Sequence, residues 1–166
     1  MIISALKALM LDALRGVRRR STLNVAAHAL AAQLTLIKGG GDTESHSDTE
    51  ALLESVGGTS QQRYLENAAE ILECDSTREK WPELSIEFME ALERAVPRSE
   101  LIAVARALLE RPSRYRKGWP DLTLFKDGRV LHVEVKANDK LIESQIRTIE
   151  AMRPLLSSEF LVAKVL

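Results

Sequence analysis

The chain has 166 residues and a mass of 18.5 kDa, with 45% apolar residues, 28% charged residues and a formal net charge of -1. That make-up suits one globular core, alone or with a helical arm. It excludes wholesale disorder and any protein that coats nucleic acid through bulk positive charge. The lone Cys74 excludes an internal disulfide, no Cys/His cluster has zinc spacing, and no segment reaches the roughly 20 uninterrupted apolar residues that span a bilayer, so a soluble intracellular protein with no membrane partner is expected.

Ile2, Ile3, Leu6, Leu9, Met10, Ala13, Leu14 and Val17 recur at three-and-four spacing, which predicts an amphipathic helix over 2–17. Arg18, Arg19 and Arg20 follow at its C-terminal end, where cations suit the helix dipole. A second helix is expected from about Leu23 to Ile37, stopped by Lys38 and Gly39 to Gly41. Residues 42–49 are polar and without period, so the chain divides into a helical arm over 1–41, a linker over 42–49 and the remainder over 50–166. Short helices are predicted at about 50–56 and 60–73, then a longer one at about 82–96 with Leu84, Phe88, Met89, Leu92 and Val96 on one face. Past Pro97, Ser99 is a candidate N-cap for a helix that ends before Pro112.

Charge is uneven along this order. Residues 1–97 carry ten Lys/Arg against fifteen Asp/Glu, whereas residues 98–140 carry ten against six. The densest basic run holds Arg111, Arg114, Arg116 and Lys117 around Tyr115. Such a run suits phosphate contacts, because each neutralised phosphate releases condensed counterions; it is equally the composition of a solvated loop before a strand.

From Asp121 the hydrophobic period changes to two. Asp121–Phe125 and Val130–Lys136 read as strands joined through Asp127-Gly128, a dipeptide whose tolerance of positive φ makes it a strong hairpin signal. Asp139 is then expected to cap a helix through Leu141, Ile142, Gln145, Ile146, Ile149 and Met152 that ends near Pro154, and Phe160–Leu166 reads as a last strand. With a two-residue turn, Lys126 faces Arg129, Phe125 faces Val130, and the ladder brings Asp121 opposite Glu134. Directly opposed residues have Cβ atoms about 4.5–5.5 Å apart, so two carboxylates there repel unless a divalent cation lies between them. Alternation puts His132, Glu134 and Lys136 on one face and Leu131, Val133 and Val135 on the other. A lysine beside a metal-holding carboxylate pair suffices for phosphodiester hydrolysis, since it can steady charge that develops on a phosphate. An exposed hairpin face that merely carries charges is the competing reading.

The run from Arg116 through Gly118 and Pro120-Asp121-Leu122, then Glu134-Val135-Lys136, Asp139, Leu141 and Gln145, resembles the virus-type replication-repair nuclease (VRR-NUC) family of PD-(D/E)xK nucleases. The resemblance covers about residues 98–166. The approach segment from Val96 to Gly118 looks more like the Fanconi-associated nuclease branch than the minimal phage enzymes. It implies an α/β (α+β) restriction-endonuclease-like core, a mixed sheet flanked by helices, behind a helical N-terminal region. It also implies Mg²⁺- or Mn²⁺-dependent cutting of flap or branched DNA in repair, in the cytoplasm or nucleoid of a bacterium or the nucleus of a eukaryote.

By the same resemblance Asp121, Glu134 and the backbone carbonyl of Val135 are metal ligands, Lys136 is the catalytic lysine and Gln145 borders the site. Arg111, Arg114, Arg116 and Lys117 would grip the DNA backbone. The family also uses an acidic ligand from an upstream helix; Glu66, Glu70, Glu87, Glu90 and Glu93 all stand as candidates, as does its absence. The larger members carry an N-terminal DNA-binding region and helical repeats that have no counterpart in these residues. Two rivals to the nuclease reading are a non-catalytic DNA-binding module that keeps the fold and a helical protein-interaction domain.

Overall fold

A computed structural model describes residues 2–20, 42–115 and 117–165. They fall into two compact units, Ile2–Ala91 and Leu92–Leu166, and the division lies inside one helix. The helix expected over Leu23–Ile37 lies outside the described residues. No helix among those described is long and apolar enough to cross a membrane.

The first unit contains α1 (Ile2–Arg20), α2 (Asp42–Gly58), α3 (Gln61–Glu73), α4 (Asp75–Lys80) and the start of α5 (Ile86–Ala95). The apolar stripe of α1 is buried at Ile2, Leu6, Leu9, Met10 and Leu14, and α1 packs on both α2 and α3. Burial brings the polar side chains of Asn67 and Tyr64 inside, each with a backbone partner. The amide of Asn67 donates to the Ala8 carbonyl at 2.9 Å, and the Tyr64 hydroxyl donates to the Met89 carbonyl at 2.8 Å. An unpaired amide or hydroxyl there would cost its desolvation, so these bonds specify which helix faces meet. Ser60 accepts the Arg63 N–H and caps α3.

Two sequence expectations in this unit need correction, and one short helix is added. Residues 42–49 are the first turns of α2 and not a linker. Leu52, Leu53 and Val56 bury the turns that follow. The helix expected from about Pro82 begins at Ile86, because Ser85 accepts the Phe88 N–H at 3.2 Å and caps there. The single-turn-and-a-half α4 was not foreseen.

The second unit runs from the end of α5 through α6 (Arg98–Glu110), α7 (Pro112–Tyr115), β1 (Leu122–Lys126), β2 (Arg129–Lys136), α8 (Glu143–Met152) and β3 (Glu159–Lys164). Pro97, not Ser99, occupies the N-cap of α6: its fixed φ suits a helix start, and Ser99 lies one residue inside the helix. Leu101, Val104, Ala105, Leu108 and Leu109 bury one face of α6. Glu100, in its first turn, accepts the Ser157 N–H at 2.9 Å and so anchors the approach to β3.

The sheet is mixed, in the order β1-β2-β3, with β1 antiparallel and β3 parallel to the central β2. Asp127 and Gly128 both have positive φ, 51° and 73°, as a two-residue type I′ turn requires. The observed pairs Lys126–Arg129, Phe125–Val130 and Leu122–Val133 are the expected register. Because β2 and β3 are parallel, their connection must cross the sheet, and α8 is that crossover.

Candidate active site

At the open end of the hairpin the chain changes from ladder pairing to side-chain pairing. The last pair of the ladder is Leu122–Val133, one step short of Asp121 and Glu134. There the carboxylate of Asp121 accepts the Val135 N–H at 2.9 Å, continuing the ladder by a side chain. A strand residue's N–H and C=O point to the same neighbour. The Val135 carbonyl therefore lies on the Asp121 side of β2, whereas Lys136 points its carbonyl toward the β3 side and accepts the Val165 N–H at 2.7 Å.

The charged face of β2 is the buried one. Val130, His132, Glu134 and Lys136 are all buried, while on the opposite face Val133 is buried but Leu131 and Val135 are only half-buried. On that opposite face Leu122, Leu124 and Leu161 are 44%, 47% and 45% exposed. An exposed hairpin face decorated with charges is thus not what the fold contains.

Glu134 is 1% exposed, and its two oxygens meet different fates. Oε1 accepts from the Gln145 amide and lies 3.0 Å from the Lys136 ammonium. Oε2 is buried with no hydrogen-bond partner. Leaving a buried carboxylate oxygen without a protein partner is costly, and such an atom needs an explanation in what it could bind. Lys136 also contacts Asp139 at 3.0 Å. The Glu134 carboxylate first, and Asp139 second, hold its ammonium above the ordinary lysine range. Asp139 is correspondingly held below the usual carboxylate range by Lys136.

This pairing corrects the expected cap. Asp139 does not begin α8; the helix starts at Glu143 with Ile142 at the N-cap. Gln145 does the capping from inside, its Oε1 accepting the Ile142 N–H at 3.0 Å while its amide turns to Glu134. One side chain thereby joins the start of the crossover helix to the buried carboxylate.

His132, two residues before Glu134, is 1% exposed. Its Nδ1 lies 3.1 Å from the Thr123 hydroxyl, and its ring packs against Phe160 with centroids 4.8 Å apart. Nε2 has no partner. Burial depresses its pKa to about 4, so the ring is neutral at ordinary pH.

The segment leading into Asp121 is stapled to α8. Thr148 is fully buried and donates to the Lys117 carbonyl at 2.7 Å. Gly118 has φ +82°, and a Cβ there would lie 2.0 Å from the Ser144 carbonyl oxygen. The Trp119 indole donates to the Tyr115 carbonyl at 2.7 Å, so its role is packing and not display. Of the basic run, Arg111 follows α6 and Arg114 lies 5.8 Å from the Tyr115 ring centroid, within a single-turn helix where a loop was expected. Lys117 is exposed, and Arg116 lies outside the described residues. Neither Gly118's contact nor Thr148 was flagged by the sequence; no local signal marks a partner 31 positions away.

Asp121, Glu134, the Val135 carbonyl, Lys136 and Gln145 are therefore brought together. Among the described residues no group of three or more His, Cys, Asp or Glu side chains could hold a metal ion. Several upstream acids have other work. Glu66 pairs with Arg63, Glu70 with Arg15 and Glu93 with Arg98. Glu87 is held below the carboxylate range by its own backbone N–H and by Ser85. The donor set is two carboxylates and a carbonyl, all hard oxygens, and the buried, unpartnered Oε2 of Glu134 fits a hard divalent cation.

The family model of the VRR-NUC domain matches residues 58–165. Among solved structures, the chain is similar to one described as a crystal structure of paFAN1 bound to 2-nt 5′-flap DNA with a gap, at 22% identity and a TM-score of 0.65. That similarity covers 99% of this chain and 30% of the other, so the chain spans under a third of its neighbour's length. No curated protein matches.

Proposed function

The chain belongs to the VRR-NUC family, and from that premise we propose that it is a divalent-metal-dependent nuclease hydrolysing DNA phosphodiester bonds at flapped or branched structures, inside the cell where that DNA is kept. The observation that carries the reading is the divided state of Glu134. One oxygen is held by Gln145 and Lys136, and the other is buried and unsatisfied, beside an aspartate anchored to the next residue's backbone.

Asp121, Glu134 and the Val135 carbonyl would hold Mg²⁺ or Mn²⁺, which supplies polarisation of the phosphodiester and a lowered pKa for an attacking water. The protein's own groups do the rest. Gln145 fixes the Glu134 carboxylate so that Oε2 stays directed away from the Lys136 contact. Lys136, kept protonated by two carboxylates, steadies negative charge as it grows on the phosphate. Asp139 keeps that ammonium from collapsing fully onto Glu134. Arg111, Arg114, Arg116 and Lys117 contact backbone phosphates, a mode that positions DNA without reading its bases. Flap or branched DNA as the substrate is supported by the neighbour's bound flap.

The test is cleavage of an end-labelled flap substrate by wild type, Glu134→Ala and Lys136→Ala, with Mn²⁺ and with EDTA. Wild type is expected to cut only with metal, and both variants to be inert. Cutting by both variants overturns the assigned chemistry. Salt-sensitive flap binding by a wild type that never cuts makes the chain a non-catalytic module.

A further inference from the structure

We infer that Thr148 is a positioning residue for the reaction proposed above, setting the separation of Asp121 from Glu134 through the Lys117 carbonyl. The inference rests on that reading of the site, but its geometry is independent of any bound group.

Four links close a ring around the two carboxylates. Asp121 is bonded to β2 at Val135, β2 is bonded through Glu134 to Gln145 on α8, and α8 is bonded through Thr148 to Lys117. The fourth link is covalent: only Gly118, Trp119 and Pro120 separate Lys117 from Asp121. All three of those residues are constrained. Gly118 lies against the Ser144–Gln145 backbone at a distance no other residue permits, and Trp119 is tied to Tyr115. Proline at 120 has a fixed φ.

Within such a ring, motion of one member must move the others. Asp121 is exposed and makes one hydrogen bond to β2, so its position depends on where its own segment is held. Thr148 is the side chain that holds it. It is fully buried at a point three residues along α8 from Gln145, on the same side of the helix. The same hydroxyl fixes the C-terminal end of the basic run, so phosphate contacts and carboxylates share one reference point.

The experiment compares Thr148→Val, which keeps the shape and loses the donor, with Thr148→Ser, which keeps the donor. Each full-length variant is titrated with Mn²⁺ alone by calorimetry and assayed for kcat and KM on the flap. Thr148→Val is expected to bind Mn²⁺ about tenfold more weakly and to lose about tenfold or more in kcat, with KM within roughly threefold of wild type, since displaced carboxylates cost metal binding and rate while most of the DNA-facing surface is unchanged. Thr148→Ser is expected to restore both quantities. Wild-type Mn²⁺ affinity and kcat in a folded Thr148→Val overturn the inference, as does equal loss in Thr148→Ser. Should Thr148→Val not fold, Thr148→Ala is judged by the same two readouts. A wild type that does not cut sinks the nuclease reading, whereas the Mn²⁺ titrations still decide the role of Thr148.

Discussion

Replacing Gly118 by alanine is expected to damage both stability and cleavage, and the size of each effect follows from two observations. First, φ at this position is +82°, which costs an L-residue about 1 kcal/mol or more relative to glycine. Second, the new Cβ would stand 2.0 Å from the Ser144 oxygen, 2.4 Å from its carbonyl carbon and 2.8 Å from the Gln145 nitrogen. A carbon and a carbonyl oxygen ordinarily approach no closer than roughly 3.3 Å, so the segment and α8 must part by about 1 Å or more. Because all three obstructing atoms are backbone, no side-chain rotation relieves the clash. Parting breaks the Thr148–Lys117 hydrogen bond and leaves a buried hydroxyl and carbonyl, worth about 1–3 kcal/mol. The sum is about 2–4 kcal/mol, a large share of the 5–15 kcal/mol that ordinarily holds a domain together. Displacement of about 1 Å at a reacting centre costs on the order of 100-fold in rate. Urea unfolding followed by tryptophan fluorescence, to which Trp119 contributes from this unit, gives the first quantity; flap cleavage under saturating Mn²⁺ gives the second. A Gly118→Ala protein within about 0.5 kcal/mol of wild type, a range typical of neutral surface changes, refutes the close approach itself.

Glu134→Gln is expected to remain folded, because its amide oxygen can still accept from Gln145 and Lys136, yet to show no Mn²⁺ binding by calorimetry; retained binding there removes Glu134 from the ligand set. Lys136→Met should lower kcat on the order of 100-fold or more while flap affinity stays within about threefold, which separates charge stabilisation from DNA binding. Buried neutral His132, with its pKa depressed to about 4 from the ordinary 6.5, makes the folded protein bind fewer protons than the unfolded chain between those values. Stability is therefore full above about pH 6.5 and lost as pH falls toward 4, with about 2 kcal/mol gone between pH 7 and pH 5; His132→Phe should flatten that slope in urea melts. Single alanine substitutions at Arg111, Arg114 or Lys117 should each lower the slope of log affinity against log salt by about 1, with no change in sequence preference.

The hairpin and its register were legible because every signal that sets them is local. Asp127-Gly128 dictates a two-residue turn, and that turn alone determines which residues face each other from Lys126–Arg129 back to Leu122–Val133. The carboxylates, the lysine and Gln145 followed from that register and from the family resemblance. What escaped was set by partners distant in sequence. Asp139 has the composition of an N-cap and sits where one is wanted, but Lys136 offers it an ion pair three residues back, and α8 starts later, at Glu143. Residues 42–49 lack apolar period yet continue a helix whose later turns are buried by Leu52 and Val56. Nothing in the sequence marks Thr148, since its acceptor, the Lys117 carbonyl, is a backbone atom that no side-chain pattern announces.

β2 buries polar side chains that stability alone would leave in solvent. A strand of its composition, with Leu131, Val133 and Val135 on one face and His132, Glu134 and Lys136 on the other, ordinarily turns the apolar face inward. Here the polar face is buried, and its members satisfy one another only in part: Glu134 Oε2 and His132 Nε2 are left without partners. Burial of a half-satisfied network is less favourable than an apolar core. Such an arrangement persists where the unsatisfied atoms serve something other than the fold, and local conflicts of this kind concentrate at functional sites. Glu134 shows how the conflict is contained. Lys136 and Gln145 both attach to the same oxygen, so the charge is compensated on one side while the other side keeps its full capacity to bind. Were the two partners shared between the oxygens, the carboxylate would be better satisfied and the protein more stable. It would then have no atom left to offer a cation, and the pairing with Asp121 would be mere repulsion.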